Sequence, residues 1–453
     1  MKNKTILLLF LSLFMLSGCD SDSSSQDFND SDRTLSTDSN SDTASDSTID
    51  ITDTDADTDA DTDTDSDTDT DADTDNCPPD SCAFTGGITD RCQTRFMYGI
   101  NYAWNKLAFA ADFGGLSAWD ITGVNGNSAV YDGELSDMKD HGINVIRWWL
   151  FPDFRGDGVT FDKNDTPTGL GSTTVDDIKK ALELANKYDL YIMFTIFSFD
   201  NFRPTGENSG VHVPGLNPIV KSSVKEKTLI DNVVTPIAQA VESSPYKNHM
   251  IAWDVINEPE WAVTGASLYG GDQAFSPNAE LEPLTHQEME DFLADVITAL
   301  RAASSAMVTV GGAAVKWKHA WQNLDLDFYQ LHMYDWINEW WPYDDTIDKV
   351  AIDDKPVIMG EFFTSGLTNA TYTQEVTAYY NNGYAGALSW QYNEASAGDL
   401  DNIKAFADLH QCETAYTQIA KKSSITPNLV TAPLPLVKSE RSCKRTQYGY
   451  DCR

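Results

Sequence analysis

Two glutamates stand where short apolar runs of the chain end. Glu258 follows the run Ile251 to Ile256, with Asn257 directly before it and a proline after it, and Glu361 ends the run PVIMGE further along. Such runs predict buried parallel strands, which present the side chains at their carboxyl ends on one side of a sheet. Two acids that face each other there can act as a general acid and as a nucleophile or base.

Further polar and aromatic side chains stand at the ends of other predicted strands. Because Arg147 and Tyr334 can donate to a carboxylate, we expect them to keep Glu361 ionised. Glu258 must instead hold its proton near neutral pH. One acid that protonates a departing oxygen, beside a second that attacks, suits the cleavage of a glycosidic bond. The other strand-end residues are Asn257, expected to hold a sugar 2-hydroxyl, His332, which points inward with Tyr334, and Trp390.

Eight short runs predict the strands that carry these side chains. Each run is rich in apolar, β-branched or aromatic residues and is bounded by Gly, Pro, Asn or Asp. They are Phe96 to Asn101, Asn144 to Trp149, Tyr191 to Phe197, Ile251 to Ile256, Met307 to Gly311, Phe328 to Tyr334, Pro356 to Glu361 and Gly386 to Tyr392.

Amphipathic stretches separate the strands, and the repeat of strand and helix predicts an α/β fold, a (β/α)8 TIM barrel. An open doubly wound sheet would need a Gly-rich phosphate loop after the first strand, and the sequence GINYAWN has none. We also expect a C-terminal extension to return over the base of the barrel. The predicted helices are Glu134 to His141, Thr174 to Tyr188, Ser223 to Ser243, Thr285 to Ala303, a weak one near Val315 to Leu324, one near Ile347 to Ile352, Thr371 to Asn381 and about Asp401 to Leu409.

Residues 1–18 have the pattern of an export signal. Lys2 and Lys4 precede an apolar run that is too short to span a bilayer. The following Leu16-Ser17-Gly18-Cys19 resembles the lipobox of bacterial lipoproteins, which implies cleavage before Cys19 and a lipid, palmitate included, on that cysteine. We therefore expect a lipid-anchored protein of the bacterial cell envelope, at the outer membrane or the cell surface. An ordinary signal peptide is the alternative, and Asp20 leaves an inner-membrane location open.

Residues 19–76 are mostly Asp, Thr and Ser after the cysteine, with 21 Asp and one Arg. A segment with so few apolar residues and so much repulsion between like charges is expected to be a disordered tether. Calcium binding is the alternative, but the glycine that lets a calcium loop turn is missing. Taking this segment's charge of -20 and the two lysines before it from the total of -39 leaves -21 for residues 77–453. That acidic domain argues against nucleic acid as a partner and is compatible with a neutral sugar.

Six cysteines lie at the two ends of the predicted domain, residues 77–453. Their even number in an exported chain predicts disulfide bonds that staple the termini, with 15 connectivities open. A metal site is the less favoured alternative, because the run Cys77-x4-Cys82-x9-Cys92 has no matching histidine partner nearby. The six are Cys77, Cys82, Cys92, Cys412, Cys443 and Cys452.

Taken together, Asn257-Glu258-Pro259, His332-x-Tyr334, Gly360-Glu361 and Trp390, preceded by Arg147, resemble the motifs of glycoside hydrolase family 5 and of the wider clan of retaining (β/α)8 glycosidases. The resemblance implies that Glu258 is the acid/base and Glu361 the nucleophile. It also implies a covalent glycosyl-enzyme, retention of configuration and carboxyl groups about 5 to 5.5 Å apart. It implies no organic cofactor and no metal ion.

The resemblance covers about residues 96–392 and has one departure. Many cellulases of this family carry a histidine after the third strand, where this chain has the sequence SFDNF from Ser198 to Phe202. The sequence RWWLF from Arg147 to Phe151 is similar instead to the Arg-x-Trp-x-Phe of family 5 β-mannanases. The sequence therefore favours a β-1,4-mannan backbone as substrate, with a β-1,4-glucan as the alternative.

Tryptophans are numerous near the strand ends, and we expect Trp104 and Trp149 to bind substrate. Trp253 and Trp317 are expected to pack in the interior. Five others can stack on sugars, although about half of this group should serve the structure: Trp119, Trp148, Trp336, Trp340 and Trp341.

The leading hypothesis is a surface-tethered, monomeric, endo-acting retaining β-glycosidase with a plant-type polysaccharide as substrate. An exo-glycosidase or a transglycosylase would use the same fold, and the length of the cleft distinguishes them. A carbohydrate-binding surface lipoprotein without catalysis is the alternative from another class, and the presence of both acids counts against it.

Overall fold

The computed structural model describes residue 77, residues 79–105 and 109–417, and the backbone of a hairpin near the C-terminus. In that hairpin Cys443–Thr446 pairs antiparallel with Gly449–Cys452, and Cys443 lies opposite Cys452. The predictions for the signal peptide, for Cys19 and for the acidic segment lie outside the described residues. Within the described ranges, no helix is both long enough and apolar enough to cross a membrane.

Eight parallel strands close into a barrel, which confirms the predicted fold. Each strand pairs with its neighbours in chain order, and the eighth pairs with the first, where Gly386 lies opposite Met97. Nearly every residue of these strands is buried, as expected when helices cover the outer face of a parallel barrel. The strands are β1 (Met97–Tyr102), β2 (Val145–Trp149), β3 (Tyr191–Ser198), β4 (Met250–Asn257), β5 (Met307–Gly312), β6 (Tyr329–His332), β7 (Val357–Glu361) and β8 (Gly386–Ser389).

Two strands end earlier than predicted. β6 ends at His332 and β8 at Ser389, so that Tyr334 and Trp390 lie just beyond their strands. Tyr334 caps the short helix Asp335–Asn338, and the backbone of Trp390 is bridged to Phe363. Both side chains therefore remain at the rim that the carboxyl ends of the strands form.

The longer helices follow the predicted order, with one interruption, although the first begins at Ser128 and not at Glu134. Three short helices were not predicted: Asn217–Val220, Asp335–Asn338 and Gln411–Thr414. The stretch predicted as a single helix from Ser223 is broken by a π turn, Ile230–Val234, just before Pro236. Proline has no N–H to donate within a helix, so the bonding pattern must change in the turn before it. The helices are Ser128–Asp140, Thr174–Tyr188, Asn217–Val220, Ser223–Leu229, Thr235–Glu242, His286–Ala303, Asp335–Asn338, Ile347–Val350, Tyr372–Asn381, Ala397–Leu409 and Gln411–Thr414.

The weak helix predicted near Val315 to Leu324 is wrong in extent, because only the 3-10 turn Val315–Trp317 forms. The carbonyl oxygen of Lys316 accepts from the backbone N–H of Gln273. The carbonyl oxygen of Ala320 lies 2.8 Å from a ring nitrogen of His286. Carbonyl groups that accept from other parts of the fold are not available to a continuing helix.

Two disulfide bonds form within the described residues, as predicted, and one of them ties the two ends of the domain together. The short bridge joins Cys77 to Cys92 across 15 residues, and the long bridge joins Cys82 to Cys412 across 330 residues.

Residues 415–417, which follow the last helix, lie under the barrel at the amino ends of the strands, and the rest of the predicted C-terminal extension lies outside the described residues apart from the hairpin backbone. Tyr416 is fully buried there, in one cluster with Met97, Val145 and Tyr191. Its hydroxyl donates to the carbonyl oxygen of Ile88, at 2.9 Å. The segments around Ile88 and Tyr416 therefore close the base of the barrel, and a substrate can enter only at the opposite rim.

Candidate active site

The two predicted acids lie at the carboxyl ends of β4 and β7. Glu258 follows β4 in the left-handed conformation (φ 49°, ψ 49°), and its backbone N–H donates to the carbonyl oxygen of Gly311 at 2.6 Å. Glu361 is the last residue of β7. A carboxylate oxygen of each acid and a ring nitrogen of His332 lie within 4.8 Å of one another. This closeness favours the separation of about 5 to 5.5 Å at which one carboxylate attacks directly over the about 6.5 to 9.5 Å that leaves room for a water.

The carboxylate of Glu361 has a donor on each oxygen. Arg147 Nη1 donates to Oε1 at 2.6 Å, and the Tyr334 hydroxyl donates to Oε2 at 2.7 Å. Burial raises the pKa of the Glu361 carboxyl, while the His332 ring, the Arg147 guanidinium and the Tyr334 hydroxyl oppose that rise. Because both oxygens serve as acceptors beside a guanidinium, we expect Glu361 to be the ionised member of the pair.

Arg147 is fully buried and is held by several polar side chains at once. Its Nε donates to Asp254 Oδ2 at 2.8 Å, and its Nη1 also donates to Asn101 Oδ1 at 2.8 Å. Its Nη2 donates to Asn257 Oδ1 at 2.7 Å. The Thr195 hydroxyl donates to Asp254 in turn, at 3.0 Å. A buried charge is stable only when it is paired and hydrogen-bonded, and these partners also fix the guanidinium under the attacking carboxylate.

Glu258 has a different environment. The indole Nε1 of Trp261 donates to its Oε2 at 3.0 Å, and His332 Nδ1 lies 2.8 Å from its Oε1. Burial raises the pKa of Glu258 to about 7, Asp200 adds to the rise, and the Trp261 N–H and Arg147 oppose it. Glu258 therefore keeps a proton near neutral pH, as a general acid must.

His332 lies between the two acids, because its Nδ1 is also 3.5 Å from Glu361 Oε2. Burial lowers the pKa of the His332 ring to about 4, so the ring is neutral at neutral pH. His332 Nδ1 therefore lies within reach of a carboxyl oxygen of each acid and links the two. Glu258, His332 and Glu361 are also the group within the described part of the chain that could hold a metal ion. The guanidinium of Arg147 beside Glu361 would repel a cation there.

One aromatic cluster, the Trp390 cluster, consists of Trp104, Trp149 and Trp390. Their ring centroids are 5.5 to 6.4 Å apart. The Arg147 guanidinium lies 5.5 Å from the centre of the Trp149 ring. This cluster therefore adjoins the group that holds Glu361.

A second cluster, the Trp336 cluster, adjoins Glu258 and consists of Trp261, Trp317, Trp336 and Lys316. The Trp261 ring lies 5.5 Å from the Trp336 ring and 5.3 Å from the Trp317 ring. Nζ of Lys316 lies 3.9 Å from the centre of the Trp317 ring and 4.7 Å from that of Trp336. The acids thus lie between two aromatic surfaces, as in a cleft that receives a chain of sugars on both sides of one bond.

The family model Cellulase (glycosyl hydrolase family 5) matches residues 113–396, more than half of the chain. The chain belongs to glycosyl hydrolase family 5. This family 5 member is therefore a glycoside hydrolase.

Known relatives fit this assignment. The chain is 25% identical over 336 residues to the Mannan endo-1,4-beta-mannosidase of Mytilus edulis, which covers 66% of this chain and 84% of that protein. It is 26% identical over 361 residues to a protein of the same name from Cryptopygus antarcticus, covering 68% of this chain and 83% of that protein. The structure of the beta-1,4-mannanase of the sea hare Aplysia kurodai shares the fold, with a TM-score of 0.61 at 22% identity over 74% of this chain and 98% of that chain.

The family 5 barrel brings the predicted site residues together at one rim, with the exception of Cys19, which lies outside the described residues. Their assigned roles stay predictions until variants are assayed. The amide oxygen of Asn257 accepts a hydrogen bond from Arg147. Its NH2 group is therefore the one that can donate to a sugar hydroxyl. The residues at this rim are Arg147, Asn257, Glu258, His332, Tyr334, Glu361, Trp104, Trp149 and Trp390.

Trp148 does not face the cleft. Neighbouring side chains of a strand point to opposite sides, so Trp148 points out of the barrel while Arg147 and Trp149 point in. Trp148 is fully buried, and its Nε1 donates to Asp112 Oδ2 at 2.8 Å. Trp253 and Trp317 are buried as predicted, whereas Trp119, Trp336 and Trp340 are exposed and Trp341 is half-buried.

Three residues of the site were not predicted from the sequence. Asp254 could have been predicted, because a charged residue within an apolar strand must pair with another buried polar group. Asn101 ended the predicted first strand, and in the structure it lies opposite Arg147, one residue before the end of β1. Nothing in the sequence pattern indicates Trp261, because its contact with Glu258 depends on the conformation of the turn Pro259–Ala262.

Proposed function

We propose that this chain hydrolyses internal β-1,4 bonds of mannan with retention of configuration. The observation that carries the proposal is the pair Glu258 and Glu361, whose oxygens lie within 4.8 Å, with Glu361 accepting from the Arg147 guanidinium and Glu258 from the Trp261 indole. Both relatives described above bear the name mannan endo-1,4-beta-mannosidase, which supports mannan as the polymer.

The reaction proceeds in two steps. Glu258 gives its proton to the glycosidic oxygen as the bond to the anomeric carbon breaks, and a Glu361 oxygen attacks that carbon to form a glycosyl ester. Glu258, now a carboxylate, then takes a proton from water, whose oxygen attacks the same carbon and releases Glu361. Arg147 and Tyr334 hold the nucleophile in place through both steps, and the Asn257 NH2 is the donor for the 2-hydroxyl of the reacting sugar.

Aromatic surfaces on both sides of the acids support internal cleavage. The departing half of the substrate lies beside Glu258, where Trp261 and the exposed Trp336 offer ring surfaces. The half that remains bonded to the enzyme lies beside Glu361 and the Trp390 cluster. Ring surfaces on both sides of the acids can each hold more than one sugar, which favours the cleavage of a bond inside the chain.

The test is release of reducing sugar from mannan, glucomannan, carboxymethylcellulose, mixed-linkage glucan, xylan and galactan. We expect the highest rate on mannan, with a rapid fall in viscosity that marks internal cleavage. Glu258→Gln and Glu361→Gln should each lower the rate by about a hundredfold or more. Glu183→Gln, on an exposed helix face, is the matched control and should keep the wild-type rate.

Two results would contradict the proposal. Activity on a polymer that survives both active-site substitutions would remove these acids from the mechanism. An inverted anomer in the first product, observed by NMR during hydrolysis, would exclude Glu361 as the nucleophile.

We further propose that the mature chain begins at a lipid-modified Cys19 and is anchored in the bacterial cell envelope, with the acidic segment as the tether. The pattern Leu16-Ser17-Gly18-Cys19 supports this. Cys19→Ala should move the protein from the membrane fraction to the soluble fraction, whereas Ser21→Ala should not. A Cys19→Ala protein that stays in the membrane fraction would contradict the anchor.

A further inference from the structure

A line of ring and guanidinium contacts leads away from the Trp390 cluster. The Phe109 ring lies 4.5 Å from the Trp104 ring. The Arg155 guanidinium lies 4.6 Å from the centre of the Phe109 ring and 5.9 Å from that of the Trp119 ring. Trp119 therefore stands at the outer end of an aromatic wall that starts at the acids.

The loops that build this wall all leave the barrel at the catalytic rim. Trp119 belongs to the loop after β1, and Arg155 to the loop after β2. The loop after β3 contributes a hairpin, Gly206–Asn208 with Val211–Val213. In a (β/α)8 barrel, loops that follow strands surround the active site.

The hairpin is tied to the other two loops. The Trp119 indole N–H donates to the carbonyl oxygen of Ser209 at the hairpin tip, at 3.4 Å. His212 Nε2 lies 2.8 Å from Asp165 Oδ1, in the loop after β2. These contacts hold Trp119 in place although 39% of its surface is exposed. A large apolar ring that is fixed and exposed beside a substrate cleft is suited to stacking on a ligand.

We propose that Trp119 is a distal subsite for the half of the substrate that stays on the enzyme. This inference rests on the proposed function. The wall begins at Trp149, which contacts Arg147 and thus the nucleophile's side of the site, whereas the departing half lies beside Glu258 and Trp261. Trp119 stacks on a sugar several units from the bond that breaks, and it favours long chains over short ones.

The test uses aryl β-glycosides of β-1,4-linked mannose chains of increasing length, from one sugar to five, with cello-oligosaccharide aryl glycosides in parallel. The aryl group occupies the departing side, so each added sugar must extend along the wall. With the wild-type protein, kcat/KM should rise by about tenfold at the chain length that reaches Trp119, a factor that corresponds to about 1.4 kcal/mol.

Trp119→Ala should lose that step, and Trp119→Phe, which keeps a ring but cannot donate to Ser209, should retain it. Thermal unfolding of each variant checks that the fold is intact. Equal dependence on chain length in the wild type and Trp119→Ala would overturn the subsite while leaving the proposed function standing. A wild-type protein that cleaves neither series would refute the proposed function and this inference with it.

Discussion

Replacing Trp261 by phenylalanine should extend the activity of the enzyme to higher pH. Formation of the glycosyl-enzyme needs Glu258 in its protonated form, so kcat/KM falls as the pH rises through the pKa of that group, about 7. The Trp261 N–H stabilises the Glu258 carboxylate at 3.0 Å. Without this donor the carboxylate is less stable, the pKa rises, and the alkaline limb of the pH profile moves upward.

The size of the effect follows from the hydrogen bond that is lost. A hydrogen bond to a charged group contributes about 1.5 to 3 kcal/mol. One pH unit in a pKa corresponds to about 1.36 kcal/mol. We therefore expect the alkaline limb of kcat/KM on soluble mannan to move up by at least about one pH unit. Phenylalanine keeps the aromatic face toward the departing sugar, so KM should change little.

Trp317→Phe is the matched control. Trp317 is in contact with Trp261, and its Nε1 is buried without a hydrogen-bond partner among the described side chains. The same change of volume is thus made next to the same residue, and no donor to Glu258 is lost. An alkaline limb that stays in place in Trp261→Phe, or moves equally in both variants, would refute the role of the indole N–H.

Three further predictions concern the nucleophile and the covalent staples. Tyr334→Phe removes a donor to the Glu361 carboxylate, so the pKa of Glu361 should rise and the acid limb of kcat/KM should move to higher pH; an unchanged limb would contradict this. Arg147→Lys should lower kcat by about a hundredfold with little change in KM, because an ammonium cannot reproduce the planar set of donors. Near-normal kcat in that variant would show that the guanidinium is dispensable. Removing the long bridge with Cys82→Ala and Cys412→Ala should destabilise the protein more than removing the short bridge with Cys77→Ala and Cys92→Ala. A bridge stabilises the fold by lowering the entropy of the unfolded chain, and this effect grows with the length of the closed loop. For the 15-residue loop of the short bridge it is about 3 kcal/mol. Denaturant unfolding measures both, and the reverse order would contradict the argument.

The sequence predicted the fold and the acids because the relevant patterns are local. Apolar runs with turn-forming boundaries locate the eight strands, and the residue that ends each run is known once the run is known. Pro236 shows the limit on the helical side: a single residue without an N–H divided a helix whose apolar pattern continues through it.

Side-chain direction and long-range pairing needed the tertiary structure. Trp148 and Trp149 are adjacent and chemically identical, yet one packs outside the barrel and the other lines the cleft, because the strand's register decides which side faces in. Cys82 and Cys412 are paired only because both ends of the chain meet under the barrel.

By itself the sequence determined which barrel forms and which side chains stand at its catalytic rim, since these depend on residue types within a few positions. Only the tertiary structure showed that Trp261 donates to Glu258 and that Asp254 shares the guanidinium beside Glu361. Burial raises the pKa of Glu258 to about 7 against the Trp261 N–H, whereas the Arg147 guanidinium, shared with Asp254, opposes the rise that burial causes in the pKa of Glu361. These interactions join residues far apart in the chain, and electrostatic energies depend on the distances and burial that folding creates.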